Sequence, residues 1–166
     1  MQLDGSLLLG GEFWLERWRG DTLIKRYRAK NGLTTAGLND ALETLVRQGT
    51  LRTWRIGLID DTDFDEVDVA DTMASHAGWT ELTSYDEASR PLWGPAAVTG
   101  KLAVNSSSVA FTLSADASIK GLFLSSDGTK GGTTGILLCT GLFDDAAAML
   151  DNEVAKCFYR ISVQGR

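Results

Sequence analysis

The chain reads as a mainly β protein: an antiparallel β-sandwich with one packed α-helix near residues 34–48. Three observations point there. Short runs of alternating apolar and polar residues recur along the chain, separated by glycine-rich turns. The turns lean on glycine, with 18 Gly against two Pro. Only "NGLTTAGLNDALETLVRQG", residues 31–49, carries a clear apolar spacing of three and four.

Residues 1–11 read as an extended, glycine-punctuated N-terminal arm, and residues 12–166 as a single sandwich domain. A hairpin opens that domain. "EFWLERW" and "TLIKRYRA" flank Gly20-Asp21, and a Gly-first pair suits a type II′ turn. In that register Glu16 faces Lys25, Trp14 faces Tyr27 and Trp18 faces Leu23, which pairs opposite charges and apolar partners. The tip spells Arg-Gly-Asp, but Gly-Asp is also what a tight hairpin requires. In the helix, Thr34 or Thr35 serves as cap. Leu38, Ala41, Leu42, Leu45 and Val46 form an apolar stripe expected to pack on a sheet. Asn39, Asp40, Glu43 and Arg47 form the wet face, and Gly49 is the expected stop.

"TWRIGLI", Thr53–Ile59, reads as a strand. Residues 60–100 then form a long excursion with little periodicity, and such loops are usually functional or interaction elements. From Lys101 the pattern is β again. Val109, Phe111 and Leu113 alternate on one face, and "SIKGLFLSS" and "TGILLCTGLF" are short apolar runs. "SSDGTKGGTTG" between them reads as a mobile hairpin tip. The last strand places Ala155, Cys157, Tyr159, Ile161 and Val163 on one face. Lys156, Arg160 and Ser162 take the other, and Phe158 breaks the alternation.

Composition limits function. The chain has 166 residues and a net charge of −6, which argues against a general phosphate-binding surface and so against nucleic acid as a partner. Its N-terminal third is nevertheless basic, with Arg17, Arg19, Lys25, Arg26, Arg28 and Lys30 close together. These are either solvated strand faces or a surface for an acidic partner. No run approaches the ~20 apolar residues of a membrane helix, and the N-terminus lacks the basic start of a signal peptide. Cys139 and Cys157 are far apart, with no CxxC. Buried free thiols made in a reducing cytosol are expected.

Motifs that suggest chemistry fail on their spacing. In "DDTDFDEVDVAD", setting Asp61 first in an EF-hand loop puts Glu66 where glycine must turn and Thr72 where a bidentate Glu must bind. A solvated acidic loop is the simpler reading, and a weaker, irregular cation site is the alternative. "DTMASHAGWTE" brings Asp71, Ser75 and the single histidine, His76, together. Read as a short helical turn from Asp71 to Gly78, it points Ser75 and His76 about 100° apart, and no glycine elbow surrounds Ser75. Lys130 precedes its glycine pair, so a phosphate loop is excluded. No catalytic residue, metal or cofactor is therefore expected, and the chain is read as a non-enzyme. "WTELTSYDEASRPLWGP" holds Trp79, Tyr85, Arg90 and Trp93. This composition suits either a buried interface centre or a lid over the domain's own core. Trp79 or Trp93 could also serve as a sugar platform.

Taken together, "GGEFWLERWRGD", "KNGLTTAGLNDALETL", "WRIGLID", "ADTMASHAGWTELTSYDEASRPLW" and "FTLSADASIKGLFLSSDGTKGGTTGILLCTGLF" resemble small virion structural proteins of tailed bacteriophages. The resemblance runs through the last strand, and the segment around "DTMASHAGWTE" is its most specific part. It implies a β-sandwich, jelly-roll or immunoglobulin-like, with one packed helix, serving as a capsid cement or decoration protein, a trimer that binds the major capsid protein or other virion proteins and stabilises the head. A tail-side adaptor, fibre base or baseplate protein is the alternative. The implied location is the virion, after synthesis in the host cytoplasm. The residues expected to make contact are Trp14, Arg17, Trp18, Arg19, Arg26, Trp79, Tyr85, Arg90 and Trp93.

Overall fold

The computed structural model describes residues 7–165. Nine strands and one helix follow in the order β1 (Leu7–Arg19), β2 (Thr22–Leu33), α1 (Thr35–Arg47), β3 (Arg55–Asp60), β4 (Glu81–Leu82), β5 (Leu102–Val104), β6 (Val109–Thr112), β7 (Ala117–Ser125), β8 (Leu137–Met149) and β9 (Val154–Gly165). All pairings are antiparallel. The spatial order is β4-β3-β7-β8-β2-β1-β9-β5, with β6 also pairing β9. The mainly β fold with one helix is as the sequence leads one to expect. Of the anticipated arm, residues 1–6 lie outside the described part. Leu7–Gly11 is instead the first stretch of β1, paired with β9 from Leu7↔Gly165 onward.

The sheet folds over on itself. Its two halves are joined by only three residue pairs, Asn31–Leu33 of β2 with Cys139–Gly141 of β8. Phe13, Leu15, Phe111, Cys157 and Tyr159 from one half meet Ile56, Leu58, Leu122, Leu124 and Cys139 from the other in one buried cluster. This is a sandwich-like core, and the alternation of each strand produces it. Both cysteines are free and buried within it.

The hairpin turn is as expected, with Gly20 at φ +53 and Arg19 paired to Thr22. The register is not. A bulge on β2, opposite Arg17 and Trp18, lets the ladder step from Trp18↔Leu23 to Arg17↔Lys25, so Glu16 faces Arg26, Leu15 faces Tyr27 and Trp14 faces Arg28. One extra residue, Ile24, inverts every side chain beyond it. Tyr27 and Ala29 turn into the core, and Arg26 and Arg28 turn out.

The helix departs from expectation more sharply. Thr34 is the cap, its hydroxyl oxygen accepting from the Gly37 N–H at 3.0 Å. Gln48, not Gly49, takes the left-handed conformation at the other end, φ 55. Gly37 is the helix's one buried residue. A Cβ there would lie 2.3 Å from the Leu138 carbonyl oxygen, so the helix docks by bringing bare backbone against β8. Leu38, Leu42, Leu45 and Val46 are all exposed. Of the stripe, only Ala41 is half-buried.

The excursion of residues 60–100 closes the domain in two steps. Its first half lies over the outer face of β3 and β7, where Phe64, Val67, Met73 and Trp79 cover Ile59, Phe123 and Leu137. β7 is therefore buried on both faces, Leu122 and Leu124 on one and Phe123 on the other. The second half spans the open side of the sandwich, with bridges Arg55↔Leu92, Tyr85↔Leu113 and Pro95↔Asn105.

Candidate functional site

Residue periodicity and the bulge together build one distinctive surface. On β1, Phe13 and Leu15 point inward, so Glu12, Trp14, Glu16 and Trp18 point outward. Their partners across the ladders are Lys30, Arg28 and Arg26 on β2 and Arg160, Phe158 and Lys156 on β9. At the centre, Trp14 stacks on Phe158, with ring centroids 5.0 Å apart and planes 7° from parallel. Lys156 places its Nζ 4.0 Å over the Trp18 ring. Arg26 donates to Glu16 Oε1 at 2.6 Å, and the Trp18 indole N–H donates to the other Glu16 oxygen at 3.1 Å. Arg160 pairs with Glu12 at 2.7 Å.

The two glutamates lie low in this face, with side-chain exposures of 21% and 12%, whereas Arg26, Arg28 and Arg160 remain 48–66% exposed. Five cations (Arg26, Arg28, Lys30, Lys156, Arg160) against two anions leave an excess of three positive charges on a chain whose net charge is −6. Stacked aromatics ringed by arginine are the composition of an interface centre.

Of the nine expected contact residues, Trp14, Trp18 and Arg26 belong to this face. Arg17 and Arg19 do not. Both turn to Glu153, with Arg17 Nε at 2.6 Å and Arg19 Nε at 2.9 Å. Burial alone raises the Glu153 pKa. Hydrogen bonds from Arg17, the Leu150 N–H and Arg19 outweigh that and hold it at about 2.

Trp79, Tyr85, Arg90 and Trp93 are corrected outright as contact residues: all four are buried. The aromatic loop is a lid, and neither Trp79 nor Trp93 offers a platform for sugars. Tyr85 meets Phe111 edge-on at 4.9 Å, and the Trp93 indole N–H reaches Asn105 Oδ1 at 2.7 Å. Arg90 is fully buried. Its guanidinium donates bidentately to Glu81 at 2.9 and 2.7 Å, to the Asp127 carbonyl at 3.1 Å and to the Gly132 carbonyl at 2.7 Å. This pins the 126–136 loop, which the glycine count suggests should be mobile. Lys130 adds a hydrogen bond to the Tyr85 carbonyl at 2.7 Å.

The stretch from Asp71 to Glu81 is also rebuilt. Thr72 and Ser75 form a bridge around a tight turn, not a helical turn. Gly78 admits the Glu66 backbone, since a Cβ there would lie 2.5 Å from the Glu66 carbonyl oxygen. His76 stacks on Trp79 at 4.0 Å, with its Nδ1 2.9 Å from the Trp79 carbonyl oxygen. Asp71 accepts from the Trp79 indole at 2.9 Å and from the Asp68 N–H. His76 and Asp71 thus both hold Trp79, and neither hydrogen-bonds Ser75. In the acidic run, Asp60 and Asp68 close local turns and Asp61 accepts from the Ser118 hydroxyl. Among the described residues, no three His, Cys, Asp or Glu side chains converge as a metal-binding set.

No family model matches the chain, and no curated protein matches its sequence. The outer face was partly legible beforehand. Phe158 interrupts the alternation of the last strand, and that irregularity is the signal that the outward row of β9 carries more than solvated charge.

Proposed function

We propose that the chain is a structural protein of a tailed-bacteriophage virion, a capsid cement or decoration protein that docks on the shell through the outer face of β2, β1 and β9. The observation that carries the docking part is the outward-facing, half-buried Trp14–Phe158 stack inside a ring of Arg26, Arg28, Arg160 and Lys156. The virion part rests on the resemblance of the sequence.

A face with an excess of positive charge on an acidic chain suits an acidic protein surface. In a cement, modest contacts of this kind are repeated by the symmetry of the shell, and their sum raises the barrier to rupture. Purified protein added to heads that lack it is expected to bind and restore their heat resistance. Trp14→Ala combined with Arg26→Glu is expected to abolish binding while the far-UV spectrum is retained. Heads that take up neither protein, or both equally, refute the assignment. Copy number per particle separates the tail-side alternative: on the order of hundreds for a shell protein, about a dozen for a tail part, as the two symmetries dictate.

A further inference from the structure

The apolar ridge of α1 remains without a partner among the described residues. Leu38, Leu42, Leu45 and Val46 are 47%, 58%, 72% and 63% exposed. At about 100° per residue the ridge centre lies roughly 120° around the helix from Gly37, the side that docks on β8. Its leucines fall at four-then-three spacing, the pattern of a seam between helices. We propose that this ridge is the contact between copies of the chain, α1 packing against α1 of a second protomer.

Area and charge favour a second copy over a foreign partner. Four side chains exposed to this degree present roughly 400 Å² of contiguous apolar surface, within the range of functional patches. Two such ridges facing each other can bury up to about 800 Å² of apolar area; at the ~65% apolar share of a self-interface this corresponds to at most about 1,200 Å² in all, the lower bound of stable interfaces. The ridge itself carries no charge. The ion pair on the neighbouring face, Glu43 with Arg47 at 3.4 Å, is internally neutral. Nothing there selects an acidic or basic partner, and a copy of the same surface meets no like charge at the seam. The ridge shares no residue with the outer face of β1, β2 and β9, so the inference stands or falls independently of what that face binds.

Sedimentation velocity of the full chain across a wide concentration series tests it. The unaltered protein is expected to sediment as a multiple of its 17.9 kDa protomer. Leu42→Glu and Leu45→Lys, each at an exposed position, are expected to weaken self-association by about 30-fold or more, the loss typical of a central contact residue. Leu42→Met should retain it. The far-UV spectrum and melting temperature of the dissociated variants check that the protomer is intact. A chain that sediments at 17.9 kDa throughout, or an oligomer that survives both charged substitutions, overturns the inference.

Discussion

Replacing Arg90 with alanine tests whether the long excursion is a lid held from within. The substitution removes hydrogen bonds to both Glu81 oxygens and to the Asp127 and Gly132 carbonyls. Glu81, whose side chain is 6% exposed, is left without its cation. It keeps the Gly131 N–H at 2.8 Å. Removing one member of a buried, hydrogen-bonded ion pair costs about 3–5 kcal/mol, because the remaining charge stays desolvated. For a domain of this size each kcal/mol lowers the melting point by about 2–4 °C, so a fall on the order of 10 °C is expected. Domains are stable by about 5–15 kcal/mol, so the variant folds unless the unaltered protein lies at the bottom of that range.

Urea unfolding followed by tryptophan fluorescence gives the energy. Trypsin gives the location: cleavage after Lys130 is expected to be slow in the unaltered protein and to accelerate as the loop is released. Adding Glu81→Gln to Arg90→Ala neutralises the orphaned charge and should recover part of the loss, a coupling within the range of about 0.5–3 kcal/mol seen for contacting residues. A loss below about 1 kcal/mol, the value of an exposed ion pair, with Lys130 still protected, would refute the reasoning.

Three further outcomes follow from local geometry. The folded Glu153 pKa of about 2 lies below the ordinary 4.5, so its stabilisation is complete above pH 4.5 and is lost as pH falls from there towards 2. The contribution is about 3 kcal/mol, and Glu153→Gln should lower the urea midpoint at pH 7 while flattening that acid limb. Gly37→Ala gains up to about 1 kcal/mol of helix propensity but forces backbone apart at Leu138, a cost of about 1–3 kcal/mol; calorimetry should show a net fall in melting temperature. Burial raises the thiol pKa of Cys139 to about 11 and that of Cys157 further, so a disulfide reagent at pH 8 should find no reactive thiol in the folded chain and both in urea.

Much of the fold was legible because it is written in local periods. The Gly20-Asp21 turn, the Thr34 cap, the inward rows of β6 and β9 and the burial of both cysteines each depend on residues within a few positions of one another. The candidate face was legible only in part. Trp14, Trp18 and Arg26 stand out by type, but Arg28, Lys156 and Phe158 join them through strand pairing. Arg17 and Arg19 carry the same chemistry and are drawn instead to Glu153, more than 130 positions away.

Side-chain alternation and capping residues fix which segments become strands or helix, since neighbouring residues alone set those preferences. Tertiary contacts decide which way each element faces. The bulge that turns Arg26 and Arg28 outward leaves no mark in composition. A helix with an apolar stripe is directed by Gly37 and the Leu138 backbone, not by the stripe. The aromatic loop becomes a lid because Arg90 finds a carboxylate and two carbonyl oxygens from other segments. Each outcome is set by a close approach between residues distant along the chain, where sterics and desolvation outweigh any local preference.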